Sequence, residues 1–250
     1  MIISVHGIAA ASWDLADELA LYPETGADAF GLAAAKVAGG LPEAPLPPAY
    51  LVHPFTADPT DDAGWDAQCA ALVDAIDLGP PLVYVTSGPS GALRWEEAAD
   101  RFVERLTPVV AHARAAGVGL AIENTLSVRC DLSFTHSVRD AAAVADRLGI
   151  GLCVDLYCCW QESGLRDTLA AHLDRIALVQ VSDFKPGTLT FPNRWVPGDG
   201  DLPLDRLLAD VLALGYDGVV DVELTGPAID AEGPRSALTR AVAWTAARVR

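Results

Sequence analysis

Four oxygen-bearing side chains each stand where an apolar run of the sequence ends: Glu123, Asp155, Gln180 and Glu223. The runs before them read as buried strands. If these strands are parallel and close into a barrel, their carboxyl ends meet at one rim and the four side chains converge. Converging carboxylates repel one another unless a cation lies between them, and oxygen ligands favour a hard divalent metal. The pattern therefore predicts a metal site.

A single acidic residue of this kind is more often a helix cap or a solvated loop charge. Taken together, the four positions favour a functional role, because Glu123 and Glu223 each end an apolar strand. An unpaired carboxylate in such a place costs several kcal/mol. Asp155 follows Leu-Cys-Val in the same way, whereas a buried amide such as Gln180 can also be satisfied by backbone groups.

The elements that must position these side chains alternate along the chain. Strands are predicted at residues 2–6, 28–32, 50–53, 82–86, 118–123, 150–155, 176–181 and 219–223. Amphipathic helices are predicted at residues 12–21, 65–76, 95–116, 137–148, 165–173, 203–214 and 235–249, with a short, weaker segment at 33–39. Eight such units in 250 residues predict an α/β fold, a single (β/α)8 TIM barrel over residues 1–250. A dinucleotide-binding fold is disfavoured because no Gly-x-Gly-x-x-Gly follows the first strand.

The composition narrows the function class. The net charge of −17 argues against a nucleic-acid partner, and the 51% hydrophobic content argues against disorder. No stretch approaches the roughly 20 apolar residues of a membrane helix, so no membrane partner is expected. The five cysteines are odd in number without zinc-finger spacing, and no basic region precedes the first apolar run. These features predict a cytoplasmic protein that acts on a small molecule.

The same rim is predicted to carry substrate-binding groups. His6 and His53 end the first and third strands, Trp13 lies in the first loop, and Arg194 lies in the long loop after strand seven. A guanidinium there could orient a carboxylate or an enolate oxygen. For His53 a core or capping role is equally consistent with the sequence. Arg194 has an alternative as a surface residue paired with Asp199 or Asp201.

Five ordered segments resemble the xylose-isomerase-like TIM-barrel superfamily, the sugar phosphate isomerase/epimerase and endonuclease-IV-like group. They are Ile122-Glu123-Asn124, Val154-Asp155-Leu156, Val179-Gln180-Val181-Ser182-Asp183, the loop from Arg194 to Pro203, and Gly215-Tyr216-Asp217-Gly218 with Val222-Glu223. The resemblance implies one Mn²⁺ or Mg²⁺ ion bound by Glu123, Asp155, Gln180 and Glu223. It also implies that Glu123 and Glu223 are the catalytic acid/base pair, and a homodimer is possible by family habit.

This resemblance implies an isomerase or epimerase of a hydroxy-ketone, such as a sugar or cyclitol derivative. A carboxylate removes the proton beside a metal-bound carbonyl, and an enediolate is stabilised by the metal. A dehydratase (carbon–oxygen lyase) using the same groups and a non-catalytic binding barrel are alternatives. Ketose 3-epimerases of the family have histidines where this chain has Gln180 and Cys158, and a glutamate where it has Ser127. Glutamine at the fourth ligand position resembles the 3-dehydroshikimate dehydratase branch, although that branch also has histidine in place of Cys158.

Overall fold

A computed structural model describes residues 1–37, 39–188 and 193–250. The strands are β1 Ile2–His6, β2 Ala29–Ala33, β3 Pro48–Phe55, β4 Leu82–Ser87, β5 Gly119–Glu123, β6 Gly151–Asp155, β7 Ile176–Val181 and β8 Val219–Val222. The helices are α1 Leu15–Leu21, α2 Asp62–Asp77, α3 Trp95–Ala116, α4 Val138–Leu148, α5 Leu156–Cys159, α6 Leu165–Ala171, α7 Leu204–Ala213, α8 Pro227–Glu232 and α9 Pro234–Val249.

All eight strands are parallel and form one closed barrel in chain order, with β8 paired to β1. The predicted (β/α)8 TIM barrel is therefore confirmed. Because the strands share one direction, the carboxyl ends of all eight lie at the same rim. Closure also leaves no sheet edge exposed.

The helices begin and end where the sequence gives stop signals. Ser137 caps α4 by accepting a hydrogen bond from the Asp140 backbone N–H. Gly117 and Gly149 end α3 and α4 with φ of 73° and 64°, the left-handed conformation that glycine adopts without a Cβ penalty. These turns direct the chain from each helix into the next strand, β5 or β6.

The segment after β2 departs from the regular alternation. The weaker segment predicted at 33–39 contains only a 3-10 turn at Ala34–Lys36, with Ala38 outside the described residues. The seven residues of this segment are too few for a stable helix without strong packing. Two short helices were not predicted from the sequence: α5 follows β6 directly, and four residues separate α8 from the end of β8.

The barrel interior holds a small apolar layer of Tyr50, Tyr84, Ala121, Cys153 and Leu178. This layer fills the space beneath the carboxyl-end rim, so the barrel is a packed core and not a pore. A much larger hydrophobic cluster lies between the strands and the surrounding helices. Within the described residues, no helix combines the length and apolar character of a membrane span.

Candidate metal centre

Three buried carboxylates meet at the carboxyl-end rim. Glu123 ends β5, Asp155 ends β6, and Glu223 directly follows β8. One carboxylate oxygen from each lies within 4.8 Å of the others. Asp155 is fully buried, and Glu123 and Glu223 are each only 7% exposed. The strand ends thus bring together three side chains that are far apart in the sequence.

Local contacts hold the ends of β6 and β8. Asp155 Oδ1 accepts a hydrogen bond from the Tyr157 backbone N–H at 3.0 Å, so the same residue caps α5. The Glu223 N–H donates to the Val181 carbonyl at 3.2 Å, which continues the β7–β8 pairing one residue beyond the strand. These two strand ends are therefore held by contacts that do not depend on a ligand.

Arg194 lies against two of these carboxylates. Its Nη2 is 2.8 Å from Asp155 Oδ2 and 3.3 Å from Glu223 Oε1, and its Nη1 donates to the Ser182 hydroxyl at 2.9 Å. The guanidinium also stacks over the Tyr157 ring, with the ring centroid at 4.5 Å. Arg194 therefore does not form the alternative pair with Asp199 or Asp201, and Asp199 pairs with Arg240.

Backbone hydrogen bonds hold the loop that contains Arg194 in place. Asp183 and Trp195 exchange two backbone hydrogen bonds of 2.9 Å, and the Arg194 N–H donates to the Thr225 carbonyl. Asp183 itself is buried, and its carboxylate accepts backbone N–H bonds from Phe184, Gly198, Gly200 and Leu202. Asp183 thus organises the loop that carries Arg194.

The cluster carries more negative charge than its own cation balances. When all three carboxylates are ionised, the one guanidinium leaves a surplus of two negative charges. Burial raises the pKa of Glu223 to about 7, with Arg194 opposing the shift and Asp155 adding to it. Burial, and then repulsion from Glu223 and Asp155, raises the pKa of Glu123 well above its ordinary value.

These groups fit a divalent cation. Glu223 Oε2 is buried, and none of the described residues gives it a hydrogen bond. An unpaired buried carboxylate oxygen is costly, whereas a divalent ion would use that lone pair and balance the surplus charge. Three oxygen donors of this kind suit Mg²⁺ or Mn²⁺ and also accommodate zinc.

Gln180, predicted as the fourth ligand, makes its contacts in the barrel interior. Its Oε1 accepts from the Cys153 thiol at 3.1 Å, and its Nε2 donates to Tyr84 and to Asp221 Oδ2, each at 3.4 Å. Register pairs Gln180 with Asp221, two residues before Glu223. Its amide is therefore engaged below the three carboxylates, and its place in a ligand set stays a prediction.

His6 reaches the site as a neutral, fully engaged side chain. Its Nδ1 accepts the Ile8 backbone N–H at 2.9 Å, so the ring proton is on Nε2, which donates to the Tyr84 hydroxyl at 2.8 Å. Burial lowers the pKa of His6 to about 4, against the opposing effect of Asp221. His6 thus lines the site but offers no free nitrogen.

The structure does not bring His53 and Trp13 to the three carboxylates, and their role in substrate binding stays a prediction. The third strand extends to Phe55, so His53 lies inside it and not at its end. Side chains alternate along a strand, and Val52 and Pro54 face the rim cavity while His53 faces a separate cavity beside α2. The Trp13 side chain packs against the main hydrophobic core instead.

The sequence reading missed a buried polar network beneath the cluster. Asp221 is fully buried and accepts hydrogen bonds from the Ser4 hydroxyl and from the Tyr50 hydroxyl, the latter at 2.8 Å. A signal was present, because Asp221 is two residues before Glu223 and therefore shares its inward face. The contact of Cys158 with the cluster was also not predicted: its buried thiol donates a hydrogen bond to Asp155 Oδ2 at 2.9 Å.

A cavity of about 320 Å³ opens directly above the carboxylates. Glu123, Glu223, Arg194, Cys158 and His6 all line it, whereas Asp155 lies behind this surface. The volume is near the lower end of the roughly 300–1,000 Å³ range of ligand pockets. The arrangement can hold a small molecule between two carboxylates and a guanidinium.

Residues 23–247 match the family model described as the xylose isomerase-like TIM barrel. The chain belongs to this family. A curated relative, inosose isomerase of Halalkalibacterium halodurans, is 30% identical over 129 residues, which cover 50% of this chain and 46% of the relative. The match thus spans about half the length of that isomerase.

Several solved structures share the architecture. Protein SMc04130 of Sinorhizobium meliloti 1021 is 22% identical with a TM-score of 0.85, and 98% of each chain is covered. The IOLI protein, solved with a bound zinc atom, is 19% identical with a TM-score of 0.82, over 100% of this chain and 98% of that one. D-Psicose 3-epimerase of Clostridium cellulolyticum H10, solved with D-tagatose, is 14% identical with a TM-score of 0.74 over all of both chains. At these identities the likeness establishes the fold.

Proposed function

We propose that the protein is a divalent-metal-dependent isomerase or epimerase of a small hydroxy-ketone. The observation that carries this proposal is the group of three buried carboxylates, two of which line a cavity of ligand size. Membership of a family that includes sugar and inosose isomerases and epimerases supports it. A purely structural role would not require two carboxylates to be buried beside an open cavity.

Glu123, Asp155 and Glu223 would hold the metal, with Mn²⁺ or Mg²⁺ proposed because all three donors are carboxylate oxygens. Gln180 would join them only if its carbonyl oxygen left the Cys153 thiol. When bound, a divalent ion supplies Lewis-acid polarisation of a carbonyl and its neighbouring hydroxyl. The protein residues then have to position the substrate and move protons.

Glu123 and Glu223 are the proposed acid/base pair. They project from β5 and from the end of β8, so they reach the cavity from different sides of the barrel. One carboxylate can remove the proton on the carbon next to the carbonyl. Return of a proton to the opposite face of that carbon gives an epimer, and return to the neighbouring carbon gives an isomer.

Arg194 is proposed to bind a substrate oxygen. Its guanidinium lines the cavity and is held in place by Asp155 and Ser182, so it is oriented before the substrate arrives. A fixed positive charge beside the reacting carbon favours the negative oxygen that develops when the proton leaves.

The setting is proposed to be the cytoplasm, since all five cysteines are free thiols. A small molecule, and not nucleic acid, is the proposed partner, because the net charge is −17. The homodimer stays a prediction.

The test is proton exchange in D₂O. Protein stripped with EDTA and reloaded with Mn²⁺ or Mg²⁺ is incubated with a panel of hydroxy-ketones, and deuterium incorporation beside the carbonyl is followed by NMR. Glu123→Gln and Glu223→Gln should each reduce exchange by at least 10²-fold, the usual contribution of a general base. Glu96→Gln, at an exposed position on α3, is the matched control and should have no effect.

Three results would contradict the proposal or redirect it. Full exchange activity in Glu223→Gln would refute the proposed acid/base pair. An ultraviolet-absorbing enone in place of exchanged substrate would indicate the dehydratase. Tight binding of a ketone without exchange would indicate a binding barrel.

A further inference from the structure

The cavity above the carboxylates has two unlike parts. Its floor is formed by Glu123, Glu223 and Arg194. Much of the remaining surface is apolar, supplied from both sides of the opening by Ile8, Ala11, Ala33, Val52, Pro54, Leu126 and Leu132. A molecule held by its polar end at the floor would therefore place the rest of its chain against apolar side chains.

Lys36, a charged side chain that lines this cavity, is already engaged within the protein. Its ammonium forms an ion pair with the fully buried carboxylate of Glu18. The same Nζ also lies 3.2 Å from the Ala10 carbonyl and 3.5 Å from the Trp13 carbonyl. An ammonium has three protons to donate, so these acceptors use its capacity within the protein.

Two other polar side chains of this surface, Arg129 and His6, also make hydrogen bonds within the protein. Arg129 makes two hydrogen bonds of 2.9 Å to the Asp131 carboxylate. Both nitrogens of His6 are used by Ile8 and Tyr84. Thr225 lies two residues after Glu223 and lines the cavity, so we assign its hydroxyl to the polar floor and not to the apolar part.

We infer that the substrate is a hydroxy-ketone whose chain is apolar beyond the reacting carbons. This inference rests on the proposed function, because the hydroxy-ketone head is what the carboxylate floor would bind. A hydroxyl group that leaves water for an apolar surface without a new partner loses binding free energy. A polyhydroxylated chain would incur this loss repeatedly, whereas an alkyl chain gains from burial.

The test compares ketones with the same head and different chains. 1-Hydroxybutan-2-one and erythrulose (1,3,4-trihydroxybutan-2-one, both enantiomers) share four carbons and the hydroxymethyl ketone, and both are open-chain. Deuterium exchange at C1 is measured with Mn²⁺-loaded protein. The kcat/KM for exchange should be at least tenfold higher for 1-hydroxybutan-2-one. Extension to 1-hydroxyhexan-2-one should raise kcat/KM further, by about fourfold for each added methylene.

A near-isosteric variant tests the apolar surface itself. Val52→Thr replaces a methyl group by a hydroxyl in the cavity and should reduce the preference for the alkyl chain by fivefold or more. Val128→Thr is the matched control, because Val128 is 56% exposed and does not line the cavity. It should leave the preference unchanged.

Each outcome bears on a different claim. Exchange of erythrulose as fast as or faster than 1-hydroxybutan-2-one would overturn the inference and leave the proposed function standing. An unchanged preference in Val52→Thr would also overturn it. If the Mn²⁺-loaded protein exchanges none of these ketones, nor any in the wider panel, the proposed function fails and the inference fails with it.

Discussion

Replacement of Arg194 by methionine removes the only cation that contacts two of the three carboxylates in the described part of the chain. The Arg194 side chain is 7% exposed, and its partners Asp155 and Glu223 are 0% and 9% exposed in their side chains. Loss of one member of a buried ion pair costs about 3–5 kcal/mol, because the remaining charge is left without compensation. Methionine keeps much of the side-chain volume over Tyr157, so the change acts mainly on charge.

The assay is urea denaturation of the metal-free protein at pH 7.5 in EDTA. Arg194→Met should lower the free energy of unfolding by about 3–5 kcal/mol. Arg240→Met is the matched control: its side chain is 46% exposed and pairs with Asp199 and Glu232, so a loss below about 1 kcal/mol is expected. If the unfolding free energy falls no further in Arg194→Met than in Arg240→Met, Arg194 does not balance the charge of the buried carboxylates, and this account of the cluster is refuted.

Three further changes test the surroundings of the cluster. Because the pKa of Glu223 is about 7 in the folded metal-free protein, against an ordinary value near 4.5, the folded state binds its proton more tightly. The resulting stabilisation is complete below pH 4.5 and is lost as the pH rises to 7, by roughly 3 kcal/mol. Urea denaturation at several pH values should therefore show a steeper decline in wild type than in Glu223→Gln, and equal slopes would contradict the pKa. Gly31→Ala would place a Cβ onto the Tyr50 ring inside the barrel and should lower the unfolding free energy by about 1–3 kcal/mol; an unchanged urea midpoint would count against this packing. Asp183→Ala removes the acceptor of four backbone N–H groups and should cost roughly 3 kcal/mol, since hydrogen bonds to a charged group contribute most; thermal melting should show it, and an unshifted Tm would contradict the loop-organising role.

The fold was predictable because its signals are local. Apolar runs of strand length, amphipathic segments between them and glycines such as Gly117 and Gly149 at helix ends all act over a few residues. The exceptions are short. The 3-10 turn at Ala34–Lys36 and the four-residue helix α5 lie below the length at which periodicity distinguishes a helix from a loop.

The site was predictable only in part. The sequence indicates roughly where a strand ends, but an error of one or two residues changes which face of the strand a side chain lies on. Glu123 and Asp155 end their strands, Glu223 follows its strand directly, and the three carboxylates converge. The sequence indicated a strand end at His53, but β3 continues to Phe55 and places that ring on the outer side. The engagement of Gln180 with Asp221, and of Arg194 with Asp155, joins distant parts of the chain. A pattern of neighbouring residues in the sequence cannot predict contacts between residues so far apart in the chain.

The contacts of Cys158 and Asp221 show the same limit. A cysteine after a strand and an acid within a strand are both compatible with plain core packing. Only the closed barrel shows that the Cys158 thiol meets Asp155 and that Asp221 lies beneath the three carboxylates.

The most direct test of the central claim is the binding of Mn²⁺ to EDTA-stripped protein, measured by isothermal titration calorimetry at pH 7.5. The account predicts about one equivalent per chain, with binding abolished or weakened at least tenfold in Glu123→Gln and Asp155→Asn and unchanged in Glu96→Gln. Because the two glutamates have raised pKa values in the metal-free protein, binding should also release protons to the buffer. Absence of Mn²⁺ binding, or binding that survives in both carboxylate variants, would contradict the claim that these three side chains form a metal site.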